Sequence, residues 1–216
     1  MKLTHKLLFV AATSACSAFA GLITSPVGSI IVDFEQFGPG YTATSGPISV
    51  ENGSSPITVT WTSANFSSVV GSGGYGLSDN GNWGLSDFRH TGTNSETLAI
   101  TMMFSSPVAA VSAFFNYAPS SVDPLISALD IFGSSIESYN LASSAPISTP
   151  GGENDGAYRG ISRGSADIYG FRIAGSFIVA DDISVTANGA VPEPATGLLS
   201  LLVVASGLAI RRSLCR

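Results

Sequence analysis

Between Gly21 and Ala190 the chain has no lysine; its only two, Lys2 and Lys6, lie in the first six residues. That stretch holds four arginines, Arg89, Arg159, Arg163 and Arg172, against fourteen acidic residues from Asp33 to Asp182, a formal balance of −10. A surface so poor in cations has little with which to neutralise phosphates, so nucleic-acid binding is excluded as a function. Cysteine is equally scarce. Cys16 and Cys215 sit near the two ends and none lies between, so disulfides do not staple the fold and a catalytic thiol is excluded from its body. His5 and His90 are the only histidines, and a histidine-based zinc site or Ser-His-Asp triad in the body would have to be built on His90 alone. The sequence around His90 reads as a surface loop beside Arg89. Without such groups no catalytic activity is expected.

Long apolar runs are also few, and they sit at the ends. The mean hydropathy of +0.35 therefore overstates how apolar the middle is. Residues 1–20 begin with Lys2, His5 and Lys6, continue through an apolar stretch from Leu7 to Ala12, and end in Ala18-Phe19-Ala20. This is the layout of an export signal, with the Sec machinery and signal peptidase as partners and cleavage after Ala20. The apolar run is too short to span a bilayer. Lipidation at Cys16 is the competing reading, but Thr13-Ser14-Ala15-Cys16 lacks the usual leucine three residues before the cysteine.

At the other end, Val191-Pro192-Glu193-Pro194 precedes an apolar run from Ala195 to Ile210, and Arg211-Arg212-Ser213-Leu214-Cys215-Arg216 closes the chain. As a helix, the sixteen residues 195–210 would reach about 24 Å, slightly short of a ~30 Å hydrocarbon core. Arg211 and Arg212 would stay cytoplasmic and leave the preceding domain on the far side. The two prolines keep the helix from growing upstream and hold the motif extended. Residues 191–216 resemble the PEP-CTERM sorting signal of Gram-negative bacteria, matched at Pro192, Glu193, Pro194, the apolar helix and the basic end. The resemblance implies an exosortase, a transpeptidase-like membrane enzyme, as the partner that processes the tail. It also implies a route across the inner membrane, a transient anchor, and a final place at the cell surface or outside it. A plain tail anchor on a proline-rich stalk is the competing reading.

The middle, residues 21–190, reads as β-structure. Leu98, Ile100, Met102 and Phe104 share one face at period two, and Ser105-Ser106-Pro107 is expected to end that strand. Val111, Ala113, Phe115 and Tyr117 align in the next. Further runs cover Ile30–Phe34, Ile57–Trp61, Leu125–Phe132, Ser135–Leu141, Ile168–Ile173 and Asp182–Ala187, with a hairpin break at Gly133-Ser134. Short strands, Gly/Ser/Pro turns and no sustained helical period point to an all-β antiparallel sandwich, in jelly-roll form, large enough to bury a core without disulfides.

The middle also resembles domains found ahead of PEP-CTERM tails. Val179-Ala180-Asp181-Asp182-Ile183-Ser184-Val185, with Asp33-Phe34-Glu35, resembles calcium-stabilised jelly rolls of the carbohydrate-binding-module type. That resemblance implies a structural Ca²⁺ held by Asp33, Glu35, Asp181 and Asp182, from first and last strands lying close together. Strand period puts Asp33 and Glu35 on one face and Asp181 and Asp182 on opposite ones, so one of the latter pair would ligate. The alternative is that these acids are edge charges that discourage strand addition.

Residues 70–93 carry seven glycines and two copies of Gly-Leu-Ser-Asp, and read as a long loop. Tyr75 and Trp83, with Trp61 nearby, offer flat faces to sugar rings, and Asp79, Asn80, Asn82 and Asp87 offer hydroxyl partners. Against this stands a loop whose aromatics tuck onto the sheet. The function these features favour is an exported structural protein of the surface or extracellular matrix. The second reading is a module that binds exopolysaccharide, and a hydrolase built on Asp79 and Asp87 is the weakest.

Overall fold

The computed structural model describes residues 20–37, 41–64, 68–72, 89–93, 99–117, 123–147 and 156–187. The described chain is all-β, with fourteen strands and one helical turn. In chain order the strands are β1 (Gly21–Ile23), β2 (Ser29–Val32), β3 (Tyr41–Ala43), β4 (Ile48–Ser49), β5 (Val59–Ser63), β6 (Val69–Ser72) and β7 (Arg89–Thr93). They continue with β8 (Ala99–Val108), β9 (Ala110–Tyr117), β10 (Leu125–Leu129) and β11 (Ser135–Asn140), then α1 (Leu141–Ser144), β12 (Ala157–Ser162), β13 (Ile168–Ala174) and β14 (Ile178–Thr186).

They form two antiparallel sheets. The larger runs β1-β12-β9-β14-β7-β6-β3, with β2 added beside β14; the smaller runs β11-β10-β13-β8-β5-β4. Alternation decides which side of each strand is buried. Val111, Ala113, Phe115 and Tyr117 of β9 and Ile100, Met102 and Phe104 of β8 all enter one core. The inner faces meet through Phe115 and Phe171, whose ring centroids lie 6.0 Å apart. A second link is Trp61, fully buried, whose Nε1 donates to Thr91 Oγ1 at 2.9 Å. Each such large side chain contributes about 1.5–3 kcal/mol by leaving water, which is how the fold holds without cross-links.

The outer face of the larger sheet is partly covered by the chain itself. Leu22 of β1 and Ser29 of β2 lie in one row, Leu22–Ile161–Val111–Val185–Ser29, four strand spacings apart. That is about 19 Å, and seven residues of extended chain reach about 23 Å, so the link must cross almost straight. It does so over Ser112, whose Oγ accepts from Val27 N at 3.1 Å on the side opposite the core. Gly28 follows at φ +53°, where a Cβ would lie 2.1 Å from the Val185 carbonyl oxygen.

Several strand expectations change against this frame. Ser105-Ser106-Pro107 does not end β8, which runs to Val108. The register to β13 jumps from Met103↔Gly170 to Val108↔Ile168, so Pro107 sits in a bulge where no ladder hydrogen bond is asked of it. His90 is no surface-loop residue: it lies in β7 and is 3% exposed. The ends of the 70–93 segment are likewise strands, with β6 and β7 paired from Val69↔Gly92 to Ser72↔Arg89. Among the described residues no helix is long and apolar enough to cross a membrane, and the apolar run 195–210 lies outside them.

Backbone close approach at Gly160 gives a direct test of this packing. A Cβ there would sit 2.2 Å from Val111 O and 2.6 Å from Ser112 Cα on the neighbouring strand, whereas one at Gly53 would meet nothing within 4 Å. Gly160→Ala is expected to cost about 2–3 kcal/mol and lower Tm by roughly 5–10 °C. Gly53→Ala should stay within about 0.5 kcal/mol of the parent. Thermal melts followed by circular dichroism check both.

Candidate functional site

The two regions with chemistry to offer are the acidic junction of β2 with β14 and the outer face of the smaller sheet. At the junction, Val32 pairs with Ile183, so the chain beyond Val32 leaves the ladder beside Asp181 and Asp182. The last strand thus neighbours the second strand, not the first, which lies beside β12, and Asp33 and Asp182 come to the same end of the β2–β14 pairing. Phe34, buried at φ +52°, turns the chain at once, so strand period does not govern Asp33 and Glu35. Asp33 Oδ1 accepts from Glu35 N at 3.2 Å, an Asx-type turn. Glu35 instead reaches Arg89, which it holds both as an ion pair and through its backbone carbonyl at 2.8 Å.

The other two acids shape β14. Pairing with β9 slips between Asp181↔Phe114 and Ser184↔Ser112, one extra residue on β14, and Asp182 takes φ +50° there. Asp181 is buried at 4% exposure, and its Oδ1 accepts from Asp182 N at 2.7 Å. Asp182 Oδ2 accepts from Tyr158 OH at 3.0 Å, and Tyr158 in turn stacks edge-on against Phe114 with centroids 5.3 Å apart. Burial first, and then this bond to a carboxylate, push the Tyr158 hydroxyl up to about 12.

Calcium asks for six to eight oxygens converging on one point. Among the described residues no three His, Cys, Asp or Glu side chains are so gathered. As placed, Glu35 is turned to Arg89 while Asp181 and Asp182 hold the bulge, so the four carboxylates do not form one coordination sphere.

On the smaller sheet, pairing aligns Thr62, Thr101, Arg172, Ser127 and Ser138 in a polar row across five strands, with Ser127 buried and the others at least partly exposed. Ser138 Oγ donates to Ser127 Oγ at 2.8 Å. Arg172 Nη2 donates to the Gly133 carbonyl at 3.0 Å, fixing the β10–β11 turn. One end of this row is an open groove of about 320 Å³ lined by Thr62, Ser63, Ala64, Ala99, Thr101 and Arg172. Sequence reading missed this groove. The alternation Phe171-Arg172-Ile173 and Ile100-Thr101-Met102 marks both residues as outward-facing, but only pairing shows that they are neighbours.

Of the sequence candidates, Tyr75, Asp79, Trp83 and Asp87 lie outside the described residues, as do Ala18, Pro192, Glu193, Pro194, Arg211 and Arg212. Trp61 is fully buried between the sheets and offers no face to a sugar.

The junction yields a test. Tyr158→Phe removes a hydrogen bond to a carboxylate, worth about 1 kcal/mol at a partly exposed position, and should lower Tm by roughly 2–4 °C at pH 8. The folded-state pKa lies above the usual 10.0, so the neutral hydroxyl stabilises fully below pH 10 and loses that contribution as pH rises from 10 to 12. Tyr158→Phe should therefore flatten the alkaline fall of stability, seen in melts from pH 8 to 11.5. Because Asp182 is already engaged, calcium added to EDTA-treated protein should leave Tm unmoved; a rise of roughly 5–10 °C would show the carboxylates regrouping around an ion. The chain matches no protein-family model, and neither a curated protein nor a solved structure shows significant similarity to it, so its functional reading rests on its own residues.

Proposed function

We propose that the chain is an exported structural protein of the cell surface or extracellular matrix, sorted by an exosortase and without catalytic activity. The observation that carries this reading is the ordered tail: Pro192-Glu193-Pro194, the apolar run 195–210, then Arg211 and Arg212. The leader supports it from the other end, with Ala18 and Ala20 placed for signal peptidase. The position of the strands is further support, since β1 begins at Gly21, one residue past the cleavage point, and β14 ends at Thr186, just ahead of the tail. In this reading the short helix stops translocation and leaves the motif just outside the membrane, where a transpeptidase-like enzyme acts.

The fold proposed for the body is of jelly-roll type. Between β8 and β14 the chain changes sheet at five of six connections, the exception being the β10–β11 hairpin. Such wrapping distributes each sheet's strands along the whole sequence. A second reading, a carbohydrate-binding protein that engages exopolysaccharide, is favoured by the polar groove beside Arg172.

Intact-mass measurement of protein released from the native host, with and without its exosortase, tests the sorting reading. Released chain should lack Ala195 to Arg216 when the enzyme is present, and replacing Pro192 and Glu193 should trap the full-length form in the inner membrane. Full-length chain recovered outside the cell from both strains would overturn it.

A further inference from the structure

We infer that the groove on the smaller sheet binds a carboxylate-bearing saccharide, with the Arg172 guanidinium taking the carboxylate and the hydroxyls of Thr62 and Thr101 taking ring hydroxyls. This rests on the carbohydrate-binding reading and specifies its site and its ligand class.

The argument begins with how the body spends its few cations. Arg89 is paired with Glu35, and Arg163 with both Glu137 and Asp167 at 2.9 Å. Arg159 donates to three backbone carbonyls, those of Ala145, Tyr158 and Pro146. Arg172 is the exception. Like Arg159 it bonds only uncharged groups, Thr101 Oγ1 at 3.4 Å and Gly133 O at 3.0 Å, but where Arg159 engages all three of its nitrogens, among the described residues nothing engages Nη1 of Arg172. No salt bridge among the described residues includes it. A fixed guanidinium with spare donors matches a carboxylate, and a planar fork holds it more specifically than a point charge would.

The surroundings select among carboxylates. Among the described residues that line this groove none is acidic, although fourteen acids lie between Gly21 and Ala190. The domain's net negative charge repels a polyanion at long range, but at 0.15 M salt exposed charges beyond about 8 Å are largely screened. Local complementarity then decides. Two threonine hydroxyls beside one cation suit a ligand that offers several hydroxyls and one carboxylate in a small volume, and about 320 Å³ lies at the small end of ligand sites. The floor is rigid, because Thr62, Thr101 and Arg172 are adjacent ladder positions on three hydrogen-bonded strands. At the Arg172 end, the turn that bonds Arg172 through Gly133 also presents Phe132, 89% exposed, as an apolar face for a sugar ring. Asp130 Oδ1 accepts from both Phe132 N and Ser134 N at 2.8 Å, so that turn is held in place rather than merely exposed.

Calorimetric titration of the full chain in mild detergent at 0.15 M salt tests the inference, with oligogalacturonate and its methyl-esterified, uncharged counterpart as probes. Binding of the acid form at least tenfold tighter than the ester, and at least tenfold weaker binding in Arg172→Gln, are expected. Because Arg172 also holds the turn, Thr62→Val serves as the second variant; it leaves the turn's bonds alone and should weaken the acid form several-fold with Tm unchanged. Equal binding of acid and ester would overturn the carboxylate assignment while leaving the carbohydrate-binding reading standing. Acid binding unaltered in both variants would overturn the site. Binding of neither probe would overturn the inference, and neutral oligosaccharides then decide the fate of the broader reading.

Discussion

Strand β14 has two edges but three partners, and the larger sheet is arranged around how it serves them. Along one edge it pairs with β9 from Ile178 to Thr186. The other edge is divided, with β7 on Ile178–Ala180 and β2 on Ile183–Val185. A straight strand would carry one continuous neighbour along that edge. Here the extra residue at Asp181-Asp182 bends β14 between its two partners, as bulges do. Asp tolerates the left-handed backbone this requires better than a branched or bulky residue would. The buried Asp181 carboxylate accepting the Asp182 amide, and Tyr158 donating to Asp182, supply bonds that a bulge removes from the ladder. The acidic pair is thus explained by the topology it permits.

That constraint also accounts for the crossing of Thr24–Gly28. Since β7 occupies one half of the shared edge, β2 has to enter beside the other half, and β1 lies at the far side of β12. The chain can connect them only over the outer face, where Ser112 receives it and Gly28 lets backbone meet backbone. A face that alternation alone assigns to solvent is therefore buried at Ser112 and Ser184. Next to β12, α1 performs a related task. Leu141 is fully buried, and the carbonyls that follow the helix accept from Arg159 of β12, closing the gap between the two sheets.

Period-two alternation made the core faces of β8 and β9 legible, because apolar side chains at every second position mark the side that meets the other sheet even where, as in β9, the outer side is buried too. It also located the β10–β11 hairpin, where Gly133 adopts φ +77°. What it misplaced depends on non-local pairing. Pro107 looks like a strand end until β13 is seen to skip past it, and His90 looks like part of a glycine-rich loop until β6 and β14 flank it. For the acids, the expectation that Asp33 and Glu35 share a face fails at one residue, Phe34, whose positive φ leaves no mark in the hydrophobic pattern. The groove shows the same limit. Thr62, Thr101 and Arg172 come from three strands far apart in sequence, so their chemistry is readable one position at a time and their conjunction is not.

Charge scarcity links the fold to what its surface does. A chain without lysine in its body has no flexible, exchangeable cations, and each guanidinium occupies a defined place. Arg163 shows the structural use: it holds Glu137 across strands and Asp167 four residues on, and Asp167 is kept below its usual carboxyl range by that bond. Glu137 also accepts from Tyr139 OH, so one arginine orders an entire corner between β11 and β13. Arg172 is built into the ladder as firmly, yet its remaining donors face the groove rather than an acid. Repulsion among the many carboxylates opposes compaction, and pairing every arginine internally would be the simplest relief. That Arg172 stands among hydroxyls instead, with donors to spare on the smaller sheet, is the feature that stability alone does not account for.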